Sequence, residues 1–238
     1  MNRAIRAAIR PALQAQGFAL FTDRTYWRHT ANRVHVVNFQ SFNYYLASSV
    51  GVTTFSFAVN LGQYLTCVPP DDFEIPTRKG LLAPAEYQCH LRLRPQRRLD
   101  QTELERRDRW YIDPDGSYLD PAIGDAREVI MDSGLTWFDK WSSDEAVDAL
   151  LRQPESVAKD GTDVGGTLDS PSRDLVHGYV LRSIGQSRAA HDKLESALQR
   201  FRATAEAVRS PRAKQQPPTW LHLEQDVAAL AASSRGPA

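Results

Sequence analysis

The chain has 238 residues, 29 Lys and Arg against 29 Asp and Glu, and 42% hydrophobic residues, a globular composition that excludes a disordered or fibrous chain. Two cysteines, Cys67 and Cys89, are too few for a secreted disulfide scaffold and fit a reducing cytoplasm. No apolar run reaches the ~20 residues of a membrane helix, and the basic opening MNRAIRAAIRPALQAQGF has no continuous apolar segment, so neither a membrane span nor a secretory signal is expected.

The zero net charge hides a partition. Residues 1–110 carry 15 basic and 9 acidic side chains, residues 111–169 carry 4 and 14, and residues 170–238 carry 10 and 6, giving +6, −10 and +4. Such blocks either meet one another in the fold or present an acidic surface to a basic partner.

Along the chain, Ile5, Ile9 and Leu13 recur every four residues ahead of Gly17, which predicts an amphipathic helix with a glycine stop. Pro11 should kink or restart it. RTYWRH and RVHVVNFQ read as two strands turning near Ala31-Asn32. In TTFSFAVNL the residues Phe55, Phe57, Val59 and Leu61 alternate with Thr54, Ser56, Ala58 and Asn60, the pattern of a strand with one face in water. CHLRLR repeats it, with Cys89, Leu91 and Leu93 inward and His90, Arg92 and Arg94 outward.

After Trp110 the pattern turns helical. Asp120 as N-cap and Pro121 open a helix that should end at Gly134, and Ser142 or Ser143 caps a second over SSDEAVDALL. RQPESVAKDGTDVGGTLDSPS is the linker candidate. Helical stretches follow near 173–184, 188–208 and 219–232, with SPRAKQQPP between the last two and SSRGPA fraying at the end. The fold class is therefore α+β, a mainly antiparallel sheet flanked by helices, with an α-helical C-terminal extension. The expected organisation is an α+β domain over 1–150, a linker over 151–171 and the helical extension over 172–238.

Chemical motifs are sparse. No phosphate-cradling glycine loop or nucleophile elbow is present. The cysteines lie 22 positions apart outside any C-x-x-C, so no metal and no cofactor are expected. YIDPDGSYLD puts Tyr111 and Ala122 where a calcium loop needs oxygen ligands, and reads instead as a turn ahead of a helix. His191 and Glu195 lie one helical turn apart without a third ligand. Leu181, Gly185, Ala189, Leu194, Ala197 and Leu198 have the small-residue packing of a tetratricopeptide-like hairpin in a single copy.

One constellation stands out. Asn60, His90, Arg92 and Arg94 fall on outward strand positions, and Asn38 and Gln40 join them if the strand register allows, which the sequence does not fix; arginine forks there could bind phosphate or carboxylate. Tyr26, Trp27, Phe39, Tyr44 and Tyr45 nearby could stack bases.

Gly17-Phe18, RTYWR (Arg24–Arg28), VVNFQ (Val36–Gln40), FAVNLG (Phe57–Gly62), CHLRLR (Cys89–Arg94) and DRW (Asp108–Trp110) occur in order. The series resembles a bacterial family, domain-of-unknown-function family 4304, over roughly residues 1–140. The resemblance implies a soluble bacterial context and brings no catalytic residues with it.

Three functions follow as expectations. The first is a non-enzymatic cytoplasmic protein-interaction module of the immunity or conflict-system type, whose acidic residues Asp113, Asp115, Asp120, Asp125, Glu128 and Asp132 meet a basic partner. The second is nucleic-acid or anion binding by the polar sheet face. The third is an enzyme converging on His90, Arg92 and Asn60.

Overall fold

A computed structural model describes residues 1–70, 74–101, 106–154, 158–165, 170–207 and 218–233. The chain forms two compact units, residues 1–64 with 77–140, and residues 65–76 with 141–238.

The first unit opens with α1 (Asn2–Ala8) and α2 (Arg10–Ala15). Pro11 sits in the first turn of α2, where its missing N–H leaves no ladder bond unmet, so the helix restarts there. The Ile5, Ile9 and Leu13 stripe is fully buried. Gly17, at φ +83°, ends the pair in the left-handed conformation that glycine adopts without strain.

A five-stranded sheet follows, in the order β1 (Leu20–Phe21), β2 (Thr25–His29), β3 (Arg33–Ser41), β4 (Phe57–Leu65) and β7 (Leu91–Leu93). α3 (Tyr44–Ser49) lies in the connection from β3 to β4. A separate hairpin, β5 (Thr77–Arg78) and β6 (Leu81–Leu82), turns on Lys79 and Gly80, both at positive φ. This hairpin was not among the expected elements.

β4 departs from the expected half-exposed strand, for all nine residues are buried, Asn60 and Ala58 included. The sheet is covered on both sides here. A Cβ on Gly134 would lie 3.2 Å from Leu61 on one side, and a Cβ on Gly62 would lie 2.6 Å from the Cys89 sulfur on the other. Phe55 falls before the strand and is exposed instead of turning inward.

The helix after Trp110 also differs. α4 (Leu119–Val129) has Tyr118 at its N-cap, one residue-pair ahead of the expected Asp120, which falls in the first turn where its charge still favours the dipole. Gly134 does not stop it. The chain passes through a π-helical segment (Ile130–Gly134) into α5 (Leu135–Lys140), which buries Trp137 and Phe138.

In the second unit, Ser143 caps α6 (Asp144–Leu151) by accepting from Ala146 N at 3.1 Å. α7 (Pro171–Ser183), α8 (Ser187–Ala207) and α9 (Pro218–Ser233) match the expected C-terminal helices. Within the expected linker, residues 158–165 carry buried Thr162 and Val164, and Trp141 Nε1 donates to Thr162 Oγ1 at 3.2 Å. Residues 155–157 and 166–169 of that linker, the separator at 210–217 and the end at 234–238 lie outside the described residues. Among the described residues no helix is long and apolar enough to cross a membrane.

Candidate functional site

Strand register sorts the sheet's side chains into two faces. Thr25 pairs with Asn38, Trp27 with Val36 and Tyr26 with Val37, so Asn38 and Gln40 share a face that Tyr26, His35 and Phe39 do not. The second face meets the helices: the His35 ring stacks on Phe138 at 4.6 Å, and Gln63 donates to the Phe138 carbonyl at 3.3 Å. Across the sheet, Gly62 pairs with Arg92 on the first face.

The amides of that first face are linked. Asn38 Nδ2 donates to Thr25 Oγ1 at 2.9 Å, and Asn60 Nδ2 donates to Gln40 Oε1 at 3.1 Å and to Asn38 Oδ1 at 3.5 Å. Asn60 is 1% exposed and its Oδ1 meets no partner. His90 follows on the same side, its ring 4.8 Å from Tyr64. Burial lowers the His90 imidazole to about 4, so it is neutral at neutral pH. That leaves Arg92 and Arg94 as the cations of the set. Burial raises the carboxyl of Glu86, against which both arginines act.

The chain's own 82–90 segment covers much of this face. Trp27 Nε1 donates to the Pro84 carbonyl at 2.8 Å, His29 Nε2 bonds the Leu82 carbonyl at 2.7 Å, and buried Cys89 lies against Gly62. Burial also raises the Cys89 thiol well above its ordinary value, which keeps it protonated and unreactive. The aromatic set expected to stack bases divides accordingly. Tyr26, Trp27 and Phe39 are core residues with no free ring face, whereas Tyr44 and Tyr45 stand in solvent.

The acidic run has several roles. Asp125 accepts from Leu99 N at 2.8 Å, Arg98 N at 3.1 Å and Trp110 Nε1 at 2.7 Å, which pins Arg98, Leu99 and Trp110 to α4. Asp132 pairs with Arg98. Asp113 accepts from Ser117 Oγ at 2.6 Å and Tyr118 N at 3.0 Å, and Asp115 from Ser117 N at 3.0 Å. These bonds build the expected turn ahead of the helix. Asp120 and Glu128 are exposed on α4. Part of the charge partition is thus met inside the first unit, basic 98 against acidic 125 and 132.

The connection between β3 and β4 is the least conventional surface. Asn43 caps α3 by accepting from Leu46 N at 2.9 Å, and Val52 N returns to the Ala47 carbonyl at 2.9 Å. Ser56 Oγ accepts from Ile112 N at 3.1 Å, and Thr53 bonds the Ile112 carbonyl. Arg109 donates to the Val50 carbonyl at 3.2 Å with its guanidinium 5.9 Å from the Phe42 ring centre. This anchored loop leaves Tyr44 75%, Tyr45 82%, Leu46 46% and Phe55 53% exposed. The signal was in the sequence: four large side chains within Asn43–Phe55, three of them consecutive, cannot all share one helix face.

In the second unit, buried His177 bonds Asp148 at 2.8 Å, tying α7 to α6, and Lys193 and Ser196 bond Asp174 at 2.7 and 3.0 Å, tying α8 to α7. His191 lies 3.9 Å from Glu195 on α8. Among the described residues no group of His, Cys, Asp and Glu is placed to hold a metal.

No curated protein matches the chain, and no solved structure matches it. A family model described as domain of unknown function (DUF4304) matches residues 9–140, which span the strands, the amide-bearing sheet face and the aromatic connection. The chain belongs to the DUF4304 family.

Proposed function

We propose that the DUF4304 unit is a non-enzymatic protein-interaction module that acts in the bacterial cytoplasm, and that its contact surface centres on the β3–β4 connection. The observation that carries this reading is the exposure of Tyr44, Tyr45, Leu46 and Phe55 on a loop anchored by Asn43, Ser56 and Arg109. Large apolar side chains held in water by a rigid scaffold are the usual anatomy of a contact surface. Tyrosine in particular supplies contact area at low entropic cost. Asp125 and Asp132 are engaged within the unit, so the acidic run is a weaker contact surface than this loop. Burial keeps the Cys89 thiol protonated, so the enzyme reading draws no nucleophile from it.

The test is capture of partners by the tagged full chain from a lysate of its source organism. A protein should co-elute near stoichiometry with the unaltered chain and with Asp120→Lys/Glu128→Lys, and be lost with Tyr44→Ser/Tyr45→Ser/Phe55→Ser. Truncating central aromatic contacts typically costs about 2 kcal/mol or more each, a roughly thirtyfold loss of affinity. Identical eluates from the unaltered chain and the aromatic variant would overturn the reading.

A further inference from the structure

We draw no further inference here: the strongest candidate, the row of linked amides on the first sheet face where the buried Asn60 Oδ1 meets no partner, belongs to the site already described, and nothing in the structure shows what donor would reach that atom.

Discussion

Asp125 sits in the middle of an acidic run, yet its carboxylate gathers three donors, two of them backbone N–H groups and the third the indole of Trp110. That indole is itself fixed, for the Trp110 ring lies parallel to Phe57 at 5.5 Å and its backbone bridges Phe57 in both directions. Asp125→Asn keeps one acceptor oxygen and turns an amide N–H₂ toward donors, so it should cost about 1.5–3 kcal/mol. Asp120→Asn and Glu128→Gln, exposed on the same helix, should stay within about 0.5 kcal/mol. Urea unfolding of the three variants separates them, and equal losses would mean that Asp125 anchors nothing. The distinction was invisible in the sequence, where all three read as equivalent acids. What singles out Asp125 is the return of a segment some 15 to 27 residues earlier in the chain. Asn60 was equally ambiguous. Period-two alternation placed it outward, but its pairing with Asn38 and Gln40 hung on a strand register that the sequence left open, and its burial is announced by no periodicity.

Elements were legible where one physical signal dominated. The stripe of Ile5, Ile9 and Leu13 with Gly17 defines α1 and α2, and the Ser143 cap defines α6, because capping and amphipathic spacing are local. The stop at Gly134 failed because that glycine answers to packing on Leu61 and not to helix termination. Gly178 in α7 poses the same question in a sharper form. Alanine there gains about 1 kcal/mol of helix propensity, but its Cβ would lie 2.5 Å from Leu194 Cγ and Cδ2 and 3.2 Å from the Leu194 backbone nitrogen. Rotating the leucine relieves the first two contacts and not the third. Overpacking of this kind costs about 1–3 kcal/mol, so Gly178→Ala should be net destabilising by about 1–2 kcal/mol. Adding Leu194→Ala should bring the variant below additivity, since the two changes share one contact. A thermal melt in which Gly178→Ala is neutral or stabilising would show that α7 and α8 do not approach this closely.

At the scale of the whole molecule, three histidines, His35, His90 and His177, set how the fold responds to acid. His35 is held down to about 3, chiefly by burial, then by the charges of Arg28 and Arg33, with Gln63 opposing, and Arg28 Nε donates to its Nδ1 at 3.1 Å. His90 is held at about 4 by burial, and His177 is lowered by burial against the pull of Asp148. His35 and His90 are neutral when folded, while the unfolded chain protonates them near pH 6.5, and His177 is shifted in the same direction. The unfolded state therefore binds more protons below that pH, and stability falls as pH drops, at about 1.4 kcal/mol per unit for each of His35 and His90. The loss continues to about pH 4 for His90 and about pH 3 for His35. Asp108 and Asp148, both lowered from 3.8, contribute stability that is complete above that pH and begins to be lost as pH falls through it, below the range in which the histidines dominate. Between pH 6.5 and 4.5 the imidazoles of the first unit alone account for several kcal/mol, comparable to the roughly 5–15 kcal/mol that holds a typical domain together. Urea midpoints followed by tryptophan fluorescence should hold steady above pH 7 and fall steadily below 6. His35→Gln keeps an acceptor for Arg28 and removes the titrating ring, so its midpoint should fall less steeply over the same range whatever its absolute stability. Parallel curves for the two proteins would mean that His35 carries its proton in the folded state, and that the Arg28–His35–Phe138 packing does not exclude it.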